Sequence, residues 1–317
     1  MKAFESIGQI GKVPSPEKAS APLKTSSIIA EIGSRLISYI QLTKPSVMIL
    51  VAFTGAAALL IEGSLVGHPW KFVLFLAGLY MTGGAANSFN QYFERDVDAR
   101  MARTCLKRPI PSGRISPNEA LWFSIFLGIW GAAVLTIFFN WQTGMLSVGT
   151  ILFYSLFYTL YLKPSTSYNI VIGGIAGAMA PVGAWMAATG GTTVIPWLMF
   201  LIIFLWTPPH FWTLALCYRE DYRAVGYPML PNIMGEAATI KRIEYYLAAL
   251  ILSSLIPIMT GFGSAYIAAA VVLDCAFIVV IWRVKRAGGN RSYRSMFKFS
   301  IFYLFTLFAA MTADKLL

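Results

Sequence analysis

Charged side chains are scarce in this chain: Lys, Arg, Asp and Glu make up only 12% of its 317 residues. An ordinary soluble domain carries about 25%. A chain so short of charge cannot coat itself for water, and its composition is that of an integral membrane protein. Cysteine is nearly absent, and Cys105, Cys217 and Cys275 show no paired spacing. That excludes a disulfide framework and a cysteine zinc site. The only histidines are His68 and His210, too few for a histidine-rich metal centre. What abounds is apolar, with 57% hydrophobic and 15% aromatic residues.

Crossing the hydrocarbon core takes about 20 apolar residues in a helix. Nine windows meet that length, roughly at 46–66, 70–91, 118–140, 142–162, 169–189, 192–217, 243–262, 264–283 and 297–315. Backbone groups in lipid find no water to bond, so the windows predict helices and an all-α membrane protein with nine transmembrane helices. When the windows alternate across a bilayer, 23 of the 25 Lys and Arg residues fall on one face, leaving Lys71 and Lys315 opposite. That asymmetry predicts a cytoplasmic N-terminus and an external C-terminus. It also accounts for the net charge of +11 with no nucleic acid as partner.

Residues 1–34 are rich in Ser, Pro, Lys and Glu and read as a disordered cytoplasmic tail, with the polytopic domain at 35–317. A mitochondrial presequence is Arg-rich and poor in acids. This stretch has no Arg and already carries Glu5, Glu17 and Glu31, so a bacterial inner membrane is the expectation.

The charge that is present is concentrated. Across the end of the second window stands 90-NQYFERDVDARMART-104. Asn90, Glu94 and Asp98 recur every four residues, which keeps them on one helical face. One amide and two carboxylates suit a hard cation such as Mg²⁺, which takes one or two carboxylates and fills its other positions with water and phosphate. A generic helix end with i,i+4 ion pairs would show the same charges. Here the stripe starts inside an apolar run, where polar groups are expensive and functional by default.

The sixth window offers a second charged mouth, 206-WTPPHFWTLALCYREDYRAVGYPMLP-231. Pro208 and Pro209 remove two backbone donors and disfavour helix at Thr207, predicting a break at membrane depth. Asp221 lies past the end of this window as Asp98 lies past the end of the second.

The stripe N-x-x-x-[DE]-x-x-x-D resembles the first aspartate-rich motif of the UbiA-type intramembrane prenyltransferases. More narrowly, 98-DARMARTCLKRPIPSGRISP-117, 158-YTLYLK-163, 169-NIVIGGIAGA-178, 206-WTPPHFWTLAL-216 and 221-DYRAVGYPMLP-231 resemble the haem-modifying branch of that family. The resemblance runs from about residue 40 to 245; the later windows contribute helix count alone. It implies nine helices around a central cavity opening to the cytoplasmic side. It also implies transfer of farnesyl from farnesyl diphosphate to a vinyl group of haem b, with addition of water, giving haem O.

By position, Asn90, Glu94, Asp98 and Asp221 would hold Mg²⁺ against the diphosphate. Arg103, Lys107, Arg108, Lys163 and Arg219 would clamp phosphate oxygens. Phe89, Tyr92, Phe93, Tyr158 and Phe211 would surround the allylic cation. His210 is either a hydrogen-bonded core residue or, as the resemblance implies, a contact to the haem iron or its vinyl group. Glu94 stands where many members have Asp, and Tyr218 near where a first Asp of the second motif would be, which puts a second fully coordinated Mg²⁺ in doubt. The lipid bilayer is the other expected partner, with a transient protein partner in haem A synthesis or terminal oxidase assembly.

Other readings make other demands. Transfer to a quinone precursor or chlorophyllide fits 221-DYRAVGYPMLP-231 and 109-PIPSGRISP-117 less well. An ion transporter would need charge at mid-membrane in several windows, and only Asp274 lies there. A CDP-alcohol phosphotransferase would need D-G-x-x-A-R, which is absent. Asp274 is expected to be protonated or paired with a neighbouring helix. Gly173 and Gly177 predict close helix packing.

Overall fold

The computed structural model describes residues 25–317, and these residues form helices and connecting turns with no strand. Among the described residues, nine helices are long and apolar enough to cross a membrane. They are α2 (Pro45–Glu62), α3 (Pro69–Phe93), α4 (Pro117–Phe138), α5 (Trp141–Ser165), α6 (Asn169–Thr189), α7 (Val194–Cys217), α8 (Leu230–Thr260), α9 (Ser264–Ala287) and α10 (Gly289–Leu316). A further helix, α1 (Thr25–Leu42), precedes them.

The chain folds as two groups of helices sharing a seam. In the first, α3 packs on α4, α4 on α5, and α5 closes back on α3 and α6. In the second, α7 packs on α8 and α10, and α9 on α10. The seam is made by α2 against α6 and α10, and by α6 against α7. The largest apolar core lies along it, with Phe75, Trp212, Tyr266, Phe277, Tyr303 and Phe308 fully buried. Outward faces are apolar too: Trp122, Phe126, Ile129 and Trp130 stand exposed along α4, as lipid-facing residues do.

The structure departs from three expectations. Residues 25–34, read as disordered tail, are helical, and 1–24 lie outside the described residues. The reason is periodic: Ile32, Leu36 and Ile40 give this segment an apolar face that average composition hides. The prolines at 208 and 209 do not break α7, which runs unbroken to Cys217. Both prolines are buried in protein, and Thr207 and Thr213 donate to the carbonyls of Ile203 (2.8 Å) and Pro209 (2.6 Å) around them. Protein and hydroxyl partners are what allow proline in a membrane helix. Of the two glycines, Gly173 does pack closely, against the Tyr158 ring, whereas Gly177 has no neighbour within 4 Å; it is Gly174 that meets Thr207.

Mid-membrane Asp274 is paired as expected. It accepts from Ser254 Oγ of α8 (2.8 Å) and Tyr303 Oη of α10 (2.7 Å), tying three helices together.

Candidate active site

α3 leaves the apolar layer at Phe93 and is followed by a one-turn helix, Arg95–Asp98. The amides of Glu94 and Asp98 donate to the carbonyls of Asn90 and Glu94, so the α-helical rise carries through and the predicted stripe holds. Asn90, Glu94 and Asp98 are all buried, at 2%, 3% and 2% exposure. Ionised groups this dry must be paired, and the pairing comes from three directions.

From the α1–α2 elbow comes Lys44, whose Nζ donates to Asn90 Oδ1 at 2.6 Å. From the loop before α4 comes Arg108, paired with Asp98 and, at 3.4 Å, with Glu94. From α5 comes Lys163, paired with Glu94. Three cationic residues thus converge on two carboxylates and an amide. The loop that delivers Arg108 is braced by Thr104 Oγ1 on the Asp98 carbonyl (2.8 Å), and by Arg114 on the Lys107 carbonyl (2.6 Å) and Gln41 Oε1 (2.7 Å). α4 then starts on a Ser116–Glu119 capping box.

Electrostatics follow from burial and charge together. Burial works to raise Glu94, but Lys163 and Arg108 outweigh it and hold the carboxyl below its usual range. Burial pushes Asp98 up against the opposing pull of Arg108. Burial beside Arg108 drags the Lys44 amine down to about 7. The Tyr227 phenol is pushed up by burial and by Glu94, so it stays a proton donor.

Two features here had no signal in the sequence reading. Lys44 is the sole non-glycine among the described residues with a left-handed backbone (φ 52°), a conformation that costs about 1–3 kcal/mol and persists where surroundings demand it. Its flanks are held by Asn87 Nδ2 on the Thr43 carbonyl (3.2 Å) and Gln91 Nε2 on the carbonyls of Gln41 (3.1 Å) and Leu42 (3.0 Å). The second is the middle of α5, where Phe153–Leu162 is wound as a π-helix. Such stretches are rare and concentrate at functional sites. The wider turn lets Thr159 Oγ1 donate to the Tyr154 carbonyl five residues back (2.8 Å) while accepting from Asn90 Nδ2 (3.1 Å). It also stacks Tyr154 on Tyr158 with centroids 5.2 Å apart, and Lys163 follows directly.

The second mouth faces the first through cation–π contacts. After α7, a short helix Arg219–Ala224 carries Asp221. Arg103, from the loop after α3, lies over Tyr218 at 5.2 Å and Tyr222 at 5.9 Å. Lys163 lies over Tyr227 at 5.1 Å. Arg103 and Arg219 each keep a buried Nε with no hydrogen-bond partner. Guanidinium donors left unfilled in a half-buried cleft suit a phosphate group.

The remaining predicted residues divide. Tyr158 joins the cluster, and Phe89 and Phe93 stack on each other with centroids 6.2 Å apart, Phe89 packing in one apolar group with Tyr154. Tyr92 turns towards α1 and α4, with Arg95 over its ring. Lys107 is exposed and outside the cluster. Asp221 is half-buried and is not gathered with Glu94 and Asp98; among the described residues no three His, Cys, Asp or Glu side chains form a ready cage. Phe211 is 40% exposed. His210 faces α10: Nδ1 is 2.7 Å from Ser300 Oγ, and the ring is clamped between Trp206 and Phe297 at 4.3 and 4.4 Å. Deeper in the membrane, Val51, Phe75, Leu79, Ala86, Ile151 and Met179 line an apolar hollow of about 80 Å³, one turn along α3 from Asn90.

The donor set fits Mg²⁺. Two buried carboxylates and an amide oxygen are hard ligands in the number this ion takes from protein when phosphates supply the rest.

The profile of the UbiA prenyltransferase family matches residues 50–304. A Synechocystis protein named Protoheme IX farnesyltransferase is 43% identical over 290 residues, spanning 90% of this chain and 91% of its own length. One of the same name from Afipia carboxidovorans is 44% identical over 292 residues, spanning 90% and 92%. Among solved structures, a digeranylgeranylglyceryl phosphate synthase superposes with a TM-score of 0.70 at 21% identity, over 89% of this chain and 98% of that one. A UbiA homologue from Archaeoglobus fulgidus, bound to DMAPP and Mg²⁺, gives a TM-score of 0.60 at 17% identity, over 86% and 99%. The two superpositions establish the shared fold, and the match across most of the sequence goes further: this chain belongs to the UbiA prenyltransferase family.

Proposed function

We propose that this chain transfers a farnesyl group from farnesyl diphosphate to a vinyl group of haem b, with addition of water, to make haem O. The observation that carries the reading is identity of 43% and 44%, over nine-tenths of the chain, to relatives named Protoheme IX farnesyltransferase. The buried cluster has the chemistry the reaction needs.

Lys44, Arg108 and Lys163 on one side, and Arg103 and Arg219 on the other, bind the diphosphate oxygens and neutralise the charge that builds as the leaving group departs. Asn90, Glu94 and Asp98 would hold Mg²⁺, which when bound adds further neutralisation of the diphosphate; the Archaeoglobus homologue bound to DMAPP and Mg²⁺ supports this choice of metal. The allylic C–O bond then breaks, its electron pair leaving on the phosphate oxygen. Ring faces of Phe89, Phe93, Tyr154 and Tyr158 stabilise the allylic cation without attacking it. The vinyl π electrons form the new C–C bond, which leaves a cation on the carbon next to the porphyrin. Water adds at that carbon and gives up a proton. The apolar hollow beyond Ala86 takes isoprenoid carbons and keeps water from the cation.

The setting is a bacterial inner membrane, with the site on the cytoplasmic side; the one-sided distribution of Lys and Arg supports it. Incubating the purified protein with haem b, farnesyl diphosphate and Mg²⁺ tests the reading. Mass analysis should find the porphyrin heavier by one farnesyl group plus one hydroxyl. An unchanged porphyrin, with the same preparation prenylating a quinone precursor, would overturn it.

A further inference from the structure

α1 presents three sides, and among the described residues its aliphatic side has no partner in the fold. Towards the bundle it places Ser38 and Leu42, both buried, and Tyr39, whose ring lies 5.0 Å from that of Phe123. Arg35 pairs with Glu119 on the same flank. Ala30 and the polar Ser34 and Gln41 form a second, exposed side, with Ile37 at its edge. On a third side Ile32, Leu36 and Ile40 recur every four residues, exposed at 62%, 59% and 46%. Three large aliphatic side chains in one stripe need a cover.

The cover is identified by what adjoins it. α1 runs into α2 after the two-residue elbow Thr43–Lys44, so it lies at the level where the first spanning helix enters the apolar layer. Exposed Val47 and Ile49 carry the apolar surface onto α2, and exposed Trp122 and Phe126 of α4 continue it on the other side. Between α1 and α4, Tyr39, Asn118, Glu119, Trp122, Phe123 and Phe126 line a groove of about 470 Å³, polar at one end and aromatic at the other. That grading matches the passage from headgroups to acyl chains.

We propose that α1 is an interfacial helix, lying in the plane of the membrane on the basic side, its Ile32–Leu36–Ile40 stripe among the outer acyl carbons and its Ala30–Ser34–Gln41 side in water. Its flank is locked to the bundle by Arg35–Glu119 and by Arg114 on Gln41 Oε1. Asn87 and Gln91 hold the elbow that aims Lys44 at Asn90. The lipid surface and the diphosphate site are therefore joined through one short elbow.

Nitroxide labels test this in a chain whose Cys105, Cys217 and Cys275 are replaced by Ser. Single substitutions Ala30→Cys, Ser34→Cys, Leu36→Cys and Ile40→Cys are labelled, and the protein is placed in nanodiscs of phosphatidylethanolamine and phosphatidylglycerol. Relaxation by oxygen and by a water-soluble nickel chelate is compared. The oxygen-to-chelate ratio should be several-fold higher at 36 and 40 than at 30 and 34. Equal chelate access at all four sites would put the helix in water and overturn the proposal. Oxygen-rich, chelate-poor labels at all four would make it a spanning helix and also overturn it. Immobile labels at 36 and 40, shielded from both relaxants, would show a protein partner on the stripe, with the same consequence.

Discussion

Lys44 illustrates how far a residue's role can lie from its sequence neighbourhood. In the sequence it is one more cation before a membrane helix. In the fold its strained backbone turns the amine onto Asn90, beside Arg108 and Glu94. Removing the charge with Lys44→Met should raise KM for farnesyl diphosphate by on the order of 10- to 100-fold, the loss of one charge-assisted hydrogen bond of about 1.5–3 kcal/mol, with a smaller effect on kcat. The amine titrates near 7, charged below and neutral above. Activity as kcat/KM should fall as pH rises through that value, and Lys44→Arg should abolish this limb of the profile. The Asp98–Arg108 pair makes a separate demand. Breaking a buried pair from one side costs about 3–5 kcal/mol, since it strands the other charge. Asp98→Asn alone should lower the unfolding midpoint and abolish product, and adding Arg108→Met should restore much of the midpoint without restoring product. Recovery of activity in the double variant would remove Asp98 from the site.

At the scale of elements, the nine spanning helices were legible because apolar length is a strong signal, and the i,i+4 stripe was legible because α-helical geometry continues through Glu94 to Asp98. The π-helix was not. Its sequence, 153-FYSLFYTLYL-162, is apolar and aromatic except for Ser155 and Thr159, and no periodicity in it sets one winding apart from another. The winding depends on partners from other helices, chiefly Asn90 on Thr159 and the bare Gly173 under Tyr158. A Cβ on Gly173 would lie 2.4 Å from Tyr158 Cε2, so Gly173→Ala must push the ring aside. Overpacking of this kind costs about 1–3 kcal/mol, and displacing Tyr158 should also lower kcat. Gly177→Ala, with open space around it, is the matched control and should leave both stability and turnover unchanged. Equal behaviour of the two variants in unfolding and turnover assays would separate the Tyr158 contact from function.

At the scale of the whole molecule, helix count and charge asymmetry make one joint claim about topology. Nine spanning helices are an odd number, so the segments before α2 and after α10 must face opposite sides. α1 is the element that decides whether the count is right. Its 18 residues would extend about 27 Å, nearly enough to cross. Yet it carries Glu31, Ser34, Arg35, Ser38 and Gln41, where α2 over the same length holds a single charge, Glu62, at its last position. Burying Glu31 in the bilayer would cost about 2.5–3.5 kcal/mol even on the mildest scale, and Arg35 already has its partner, Glu119, at the first turn of α4. A helix of this composition lies on the surface, and the spanning count stays at nine. A reporter active only outside the cytoplasm, fused after Leu317, should therefore be active, and the same reporter fused ahead of Met1 should be silent. Matching activity at both ends would require an even number of crossings. It would turn α1 into a tenth span and carry the basic N-terminal segment away from the face that holds Lys44, Arg108 and Lys163.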